Sequence, residues 1–148
     1  MNFISTILDE KGHEVVKVSP DATVYDALQL MADHDIGALV VEENGKVAGM
    51  FTERDYARQV ILKGRSSKEM KVRELMVKRL YYVTRKQTIT DCMVLMTEKK
   101  IRHLPVIEDD KLLGIVSIGD VVNMIIHEQR KTIRDMENYI TGGYGNNS

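Results

Sequence analysis

The chain has 148 residues, 43% hydrophobic and 29% charged, with 21 basic against 22 acidic side chains. That length suits one compact domain or two small halves sharing a core, and a net charge of −1 argues against general nucleic-acid or membrane-surface binding, which favours a basic excess. No apolar run approaches the roughly 18 residues that span a bilayer, and Met1-Asn2-Phe3-Ile4 lacks the basic start and apolar core of a secretory signal.

Phe3, Ile4, Ile7 and Leu8 recur at helical spacing, and Gly12 follows as a terminating residue. This predicts a short amphipathic helix within 1–14 that covers an exposed face of the core. Val15-Val16-Lys17-Val18 reads as a strand, and Ser19-Pro20-Asp21-Ala22 as a turn. Thr23 can cap a helix whose apolar stripe is Val24, Ala27, Leu28 and Met31, with Asp26 three residues after the cap. The nearly continuous apolar run 36–41 suits a strand buried on both faces. Asn44-Gly45 then predicts a hairpin into a strand over 46–51. A helix over 53–62, ended near Gly64, completes a β-α-β-β-α unit (15–64). Residues 65–79 are charged and turn-rich, a linker with one helical turn around Val72, Leu75 and Met76.

Adding 65 to each number replays the unit. Across 18–61 and 83–126, 13 of 44 ungapped pairs are identical, among them Thr23/Thr88, Asp26/Asp91, Gly49/Gly114 and Asp55/Asp120. Chance gives about three at ordinary residue frequencies. The second unit (80–128) carries the single cysteine, Cys92, which excludes an internal disulfide and fits a reducing, cytoplasmic setting. Met93, Leu95 and Met96 around it suggest a helix in which Cys92 is a buried apolar residue rather than a reactive thiol. A half of about 50 residues exposes too much sheet to stand alone. Packing two sheets face to face about a pseudo-twofold axis buries that surface and creates two equivalent clefts.

The last helix starts near Asp120 and runs to about Ile140, with Val122, Ile126, Gln129, Ile133, Met136 and Ile140 along one face. It outlasts its repeat by about four turns and needs something to pack on, either a partner chain or its own N-terminal helix. The glycine- and asparagine-rich end, 142–148, reads as a disordered tail.

Two corners organise the rest: Gly49-Met50-Phe51-Thr52-Glu53-Arg54-Asp55 and Gly114-Ile115-Val116-Ser117-Ile118-Gly119-Asp120. Each leads from a strand into a helix start, where backbone N–H groups and the helix dipole favour phosphate. Thr52 and Ser117 add hydroxyls, Asp55 and Asp120 add carboxylates able to accept both hydroxyls of a ribose, and Gly49 and Gly114 allow close backbone approach. The same spacing is also a capping box, and the two readings are compatible. A second constellation, Ile101-Arg102-His103-Leu104-Pro105-Val106, puts two cationic-capable side chains where the first repeat has Gly37-Ala38. They read either as a solvated strand end or as phosphate ligands.

Two copies of Gly-apolar-apolar-Thr/Ser-x-x-Asp, the second after Arg-His-Leu-Pro-Val, closely resemble the CBS domain in tandem, the CBS pair or Bateman module. The resemblance covers about 15–128 and implies a stand-alone type without an attached enzyme domain. The implied fold is α/β, two β-α-β-β-α repeats flanked by an N-terminal and a long C-terminal helix. CBS pairs commonly bind AMP, ADP, ATP, S-adenosylmethionine or dinucleotides, associate into disc-shaped homodimers, and pass ligand state to a partner protein. Carried onto this chain, one cleft uses Val16 and Met50 against adenine, Asp55 on the ribose, and Thr52, Arg54, Arg102 and His103 toward the phosphates. The other uses Tyr81 and Ile115 near the base, Asp120 on the ribose, and Ser117 with Gly37-Ala38 along the backbone.

The copies are unequal. Arg54 is matched by Gly119 and Arg102-His103 by Gly37-Ala38, so the Asp55 cleft gathers up to three cations and the Asp120 cleft none that the sequence identifies. The first copy also has Val40 where the second has Pro105, a looser fit to the motif. The expectation is a main phosphate site at Asp55. His13, His34, His103 and His127 lack metal-ligand spacing, no P-loop is present, and Cys92 sits away from any activating helix start, so catalysis is not expected. The rival is a constitutive scaffold with vestigial clefts.

Overall fold

The computed structural model describes residues 2–141; the tail expected over 142–148 lies outside them. In chain order the elements are α1 (Ile4–Lys11), β1 (Lys17–Val18), α2 (Val24–His34), β2 (Ala38–Glu43), β3 (Lys46–Thr52), α3 (Glu53–Tyr56), α4 (Ile89–Lys99), β4 (His103–Glu108), β5 (Lys111–Ser117) and α5 (Ile118–Thr141). Between α3 and α4 lie a π-helical turn at Ala57–Ile61 and a 3-10 turn at Val72–Glu74.

Local chemistry sets most of these boundaries, and sets them twice. Thr23 and Thr88 cap α2 and α4 by accepting the backbone N–H of Asp26 and Asp91, each at 3.1 Å. The two helices end in the left-handed residues Asp35 (φ 52°) and Lys100 (φ 55°), again 65 positions apart. The hairpin turns are Asn44-Gly45 (φ 55° and 77°) and Asp109-Asp110 (φ 52° and 61°). Positive φ at both central residues is the turn whose twist matches the flanking strands. Three expectations shift. The strand expected over 36–41 begins at Ala38, the helix expected over 53–62 widens into the π turn after Tyr56, and the first strand of the second repeat reduces to a single parallel bridge, Val83 to Val106.

In the first repeat β1 runs parallel to β2, and β2 antiparallel to β3; in the second, β4 pairs antiparallel with β5. Both hairpins carry a register shift at matched places, Val41/Glu42 and Val106/Ile107. Strand alternation then sorts the side chains. Leu39, Val41 and Phe51 enter one core, and Leu104, Val106 and Val116 the other. Ala38, Val40 and Met50 are buried yet belong to neither cluster. They lie on the opposite face of their sheet, turned toward the second repeat, where β3 meets β5. The face-to-face packing of the two repeats follows.

Each core is closed by the segment that precedes the other repeat. Ile4, Ile7 and Leu8 of α1 are buried among Ile89, Leu104, Val116 and Val121, so the face α1 covers is that of the second repeat. Met70, Val72 and Leu75, from the stretch expected to be a linker, are buried among Val24, Leu39 and Phe51 of the first. Burying such a side chain stabilises by roughly 1.5–3 kcal/mol, so each crossing segment is a structural part of the half it joins.

Gly49 and Gly114 belong to this exchange. A Cβ at Gly49 would lie 2.6 Å from the Val77 carbonyl oxygen, and one at Gly114 2.6 Å from Leu8 Cδ2. The close approach expected at these glycines is therefore to the crossing segments, and no ligand is needed to account for them.

The first turns of α5 bury Val121 and Met124 in the second core against α1. Farther along, Ile133, Met136 and Ile140 stand 54%, 59% and 62% exposed. The helix thus packs back on α1 only near its start, and its distal apolar stripe faces outward.

Candidate functional site

The Asp55 corner is a complete capping box. Asp55 Oδ2 accepts from the Thr52 backbone N–H and from the Thr52 hydroxyl, both at 3.0 Å, while Thr52 Oγ1 accepts the Asp55 N–H at 3.3 Å. Glu53 N–H donates to the Gly37 carbonyl at 3.1 Å. Two of the first donors of this helix start are thus satisfied within the protein, which leaves recognition of an anion mainly to side chains. Both bonds on Asp55 end on Oδ2, so among the described residues Oδ1 is open, and the Thr52 hydroxyl can rotate away from Oδ2.

The Asp120 corner repeats the geometry with one addition. Asp120 Oδ2 accepts the Ser117 N–H at 2.8 Å, Ser117 Oγ accepts the Asp120 N–H at 3.1 Å, and Ile118 N–H donates to the Arg102 carbonyl at 2.8 Å. The addition is Lys11, the last residue of α1. Its ammonium donates to Asp120 Oδ2 at 2.5 Å and to the Ile115 carbonyl at 2.8 Å. His13 Nδ1 lies 2.8 Å from the Leu113 carbonyl, so the chain after α1 is stitched along β5. The cleft expected to lack a cation therefore has one, delivered by the N-terminal helix. Its only signal in the sequence is a basic residue in a last helical turn, where the helix dipole alone accounts for a lysine; the contact spans 109 positions.

Arg54 and Arg102, from different repeats, line one shallow recess of about 280 Å³ together with Met96, Thr97, Lys100, Ile101 and Ile118. Arg54 Nη1 donates to the Lys100 carbonyl at 2.6 Å, at the C-terminal end of α4. No carboxylate lines this recess, and neither guanidinium is in an ion pair among the described residues.

His103 stands beside these groups in a different state from the one its sequence suggests. It is half-buried, opposite Ser117 in the β4–β5 ladder, and its Cε1 lies 3.8 Å from where a Gly37 Cβ would be. Burial pushes the imidazole below the ordinary histidine range, the Lys11 ammonium and Arg102 push the same way, and Asp120 opposes them. Its electrostatic neighbours are thus those of the Asp120 corner as well as Arg102.

The remaining expected residues divide between faces and edges. Ala38 opposes Thr52 and Val40 opposes Met50 in the first ladder, and Pro105 opposes Ile115 in the second. The Met50 backbone is paired both ways with Val77, at 3.0 and 2.8 Å, and the Val16 carbonyl accepts from Val40 at 3.3 Å. Tyr81 is 43% exposed, with the Lys99 ammonium 5.1 Å from its ring centre. Cys92 is fully buried and its thiol is pushed up to about 11, chiefly by burial, with Asp120 adding to the effect. No group of three or more His, Cys, Asp or Glu suited to a metal occurs among the described residues, and no described helix is long and apolar enough to cross a membrane.

Against this geometry, the family model described as the CBS domain matches residues 10–61 and 72–127. The chain is 43% identical over 150 residues to the CBS domain-containing protein CBSX3, mitochondrial, of Arabidopsis thaliana, covering 95% of this chain and 73% of that protein. A solved protein with CBS domains from Burkholderia ambifaria MC40-6 is 44% identical, with a TM-score of 0.84 over 86% of this chain and 96% of that one. At 18% identity and a TM-score of 0.75, over 86% of this chain and 98% of that one, the fold is also that of the CBS domain pair of protein MJ0100, solved in complex with 5′-methylthioadenosine and S-adenosyl-L-methionine. The chain belongs to the CBS-domain family and carries the domain as a tandem pair across most of its length.

Proposed function

We propose that this CBS pair is a regulatory module that binds an adenosine-containing ligand (AMP, ADP, ATP or a related adenosyl compound) in the clefts between its repeats and passes its state to a partner protein. One observation carries the reading: Arg54 and Arg102, drawn from opposite repeats, converge on a recess that holds no carboxylate. Guanidinium groups without an ion-paired carboxylate are suited to grip a phosphate, which can accept from both. Asp55, one residue after Arg54, has an oxygen open to a ribose hydroxyl. A ligand spanning these groups touches both repeats at once, so its binding biases their relative placement. The ligands of the MJ0100 pair belong to the same chemical class, but at 18% identity that likeness supports the fold, and the ligand assignment rests on the arginines.

The reading is a binding role without catalysis, in a reducing compartment such as the cytoplasm, which suits the lone buried Cys92. The outward stripe of Ile133, Met136 and Ile140 favours association, as a homodimer or with the regulated partner. A scaffold with empty clefts would share that stripe, but it has no need of the paired arginines.

Calorimetric titration with AMP, ATP and S-adenosylmethionine tests the proposal. The unsubstituted protein binds at least one of them, Arg102→Ala weakens phosphate-bearing ligands about tenfold or more, and Asp120→Ala weakens them less. Equal losses in the two variants argue against a dominant Asp55 cleft, and no binding of any ligand favours the scaffold.

A further inference from the structure

Lys11 gives the second cleft a selectivity that the first does not have. Resting on the proposed adenosyl-ligand function, we propose that Lys11 makes the Asp120 cleft select adenosine ligands carrying a 5′-phosphate over uncharged adenosyl ligands.

Asp120 Oδ2 already accepts two hydrogen bonds, from the Ser117 N–H at 2.8 Å and from the Lys11 ammonium at 2.5 Å. A carboxylate oxygen offers two lone-pair directions. A ribose that engages both carboxylate oxygens with its two hydroxyls must therefore take the place of Lys11 on Oδ2. At Asp55 the matching displacement is a rotation of the Thr52 hydroxyl. At Asp120 a full positive charge is separated from its counter-ion, together with its bond to the Ile115 carbonyl.

Where the ammonium goes next decides which ligands profit. Lys11 closes α1 and is followed by Gly12, so its four-carbon stem extends from a fixed helix end beside the corner. The charged groups around it are His103, whose imidazole feels Lys11 and Arg102 as well as Asp120, and the Glu53 carboxylate, which like the His103 ring lies beside Gly37. A ligand phosphate carries a stronger anion to the ammonium, so a nucleotide replaces the bond it breaks. Adenosine or 5′-methylthioadenosine breaks the same bond and brings no anion in return.

The test uses the full chain carrying Arg54→Ala and Arg102→Ala, which removes both guanidinium groups of the first cleft. AMP, adenosine and 5′-methylthioadenosine are titrated into it with Lys11 intact, as Lys11→Met and as Lys11→Arg. In the intact background AMP binds more tightly than either uncharged ligand. Lys11→Met lowers AMP affinity about tenfold and leaves adenosine unchanged or tighter, while Lys11→Arg keeps the preference for AMP. An AMP-to-adenosine ratio that Lys11→Met does not move overturns this inference and leaves the proposed function standing. Failure of every adenosyl ligand to bind the unsubstituted protein overturns both.

Discussion

The same substitution at two repeat-equivalent glycines should carry different costs. Gly49 and Gly114 occupy matching strand positions, both are buried, and neither needs a left-handed backbone. An alanine Cβ at Gly49 meets the Val77 carbonyl oxygen at 2.6 Å and Met76 Sδ at 3.2 Å. The carbonyl belongs to the backbone, and it is held there because Met50 N–H donates to it at 3.0 Å while Val77 N–H donates to the Met50 carbonyl at 2.8 Å. Relieving the clash moves Val77 off β3. Overpacking of this kind costs about 1–3 kcal/mol, and weakening the paired hydrogen bonds adds about 1 kcal/mol. The alanine returns about 0.4–1 kcal/mol by restricting the unfolded chain, so Gly49→Ala should destabilise by about 2–3 kcal/mol. At Gly114 the obstacle is Leu8 Cδ2, the end of a flexible side chain, and the same entropic return leaves a net loss of about 1 kcal/mol. Urea unfolding of both variants, at unchanged m-value, measures the difference. A Gly114→Ala loss equal to or larger than that of Gly49→Ala refutes the reasoning.

Leu8→Ala should destabilise by about 2–5 kcal/mol, since it empties a fully buried site in the second repeat's core; in that background Gly114→Ala should cost nothing measurable, and a double-mutant cycle by urea unfolding reads the coupling. The depressed His103 pKa predicts a pH effect of definite sign. Below the ordinary value of 6.5 the unfolded chain takes up a proton that native His103 resists, so stability falls as the pH drops from 6.5 through the folded value. Thermal unfolding between pH 7.5 and 5 should show that loss, and His103→Gln should shrink it; an unchanged slope in the variant removes His103 as its source.

Much of the fold was legible because its signals are local and occur twice. Thr-x-x-Asp caps, the positive-φ hairpin turns and the continuous apolar strand runs all act within a few residues, and the 65-residue offset checks each reading against its copy. The two corners were legible for the same reason, since Thr52 with Asp55 and Ser117 with Asp120 bond within one helical turn.

What spans the chain was not. That α1 belongs to the second core and the 65–79 segment to the first depends on how the two halves meet, and the apolar spacing of 1–14 and 65–79 is equally consistent with packing on either half. The glycines at 49 and 114 signal a close approach in sequence, but only the packing shows that crossing segments make it. The charge balance of the clefts followed the same division. Comparing the repeats found Arg54 and Arg102, because both differ from their counterparts. Lys11 has no such counterpart, and a lysine ending a helix looks like any solvated one until the fold carries it to Asp120. The sequence alone determined two corners and their caps; tertiary structure decided which side chains reach into each and so the charge of each, because a contact across 109 positions is set by how the halves pack and leaves no periodic mark in the chain.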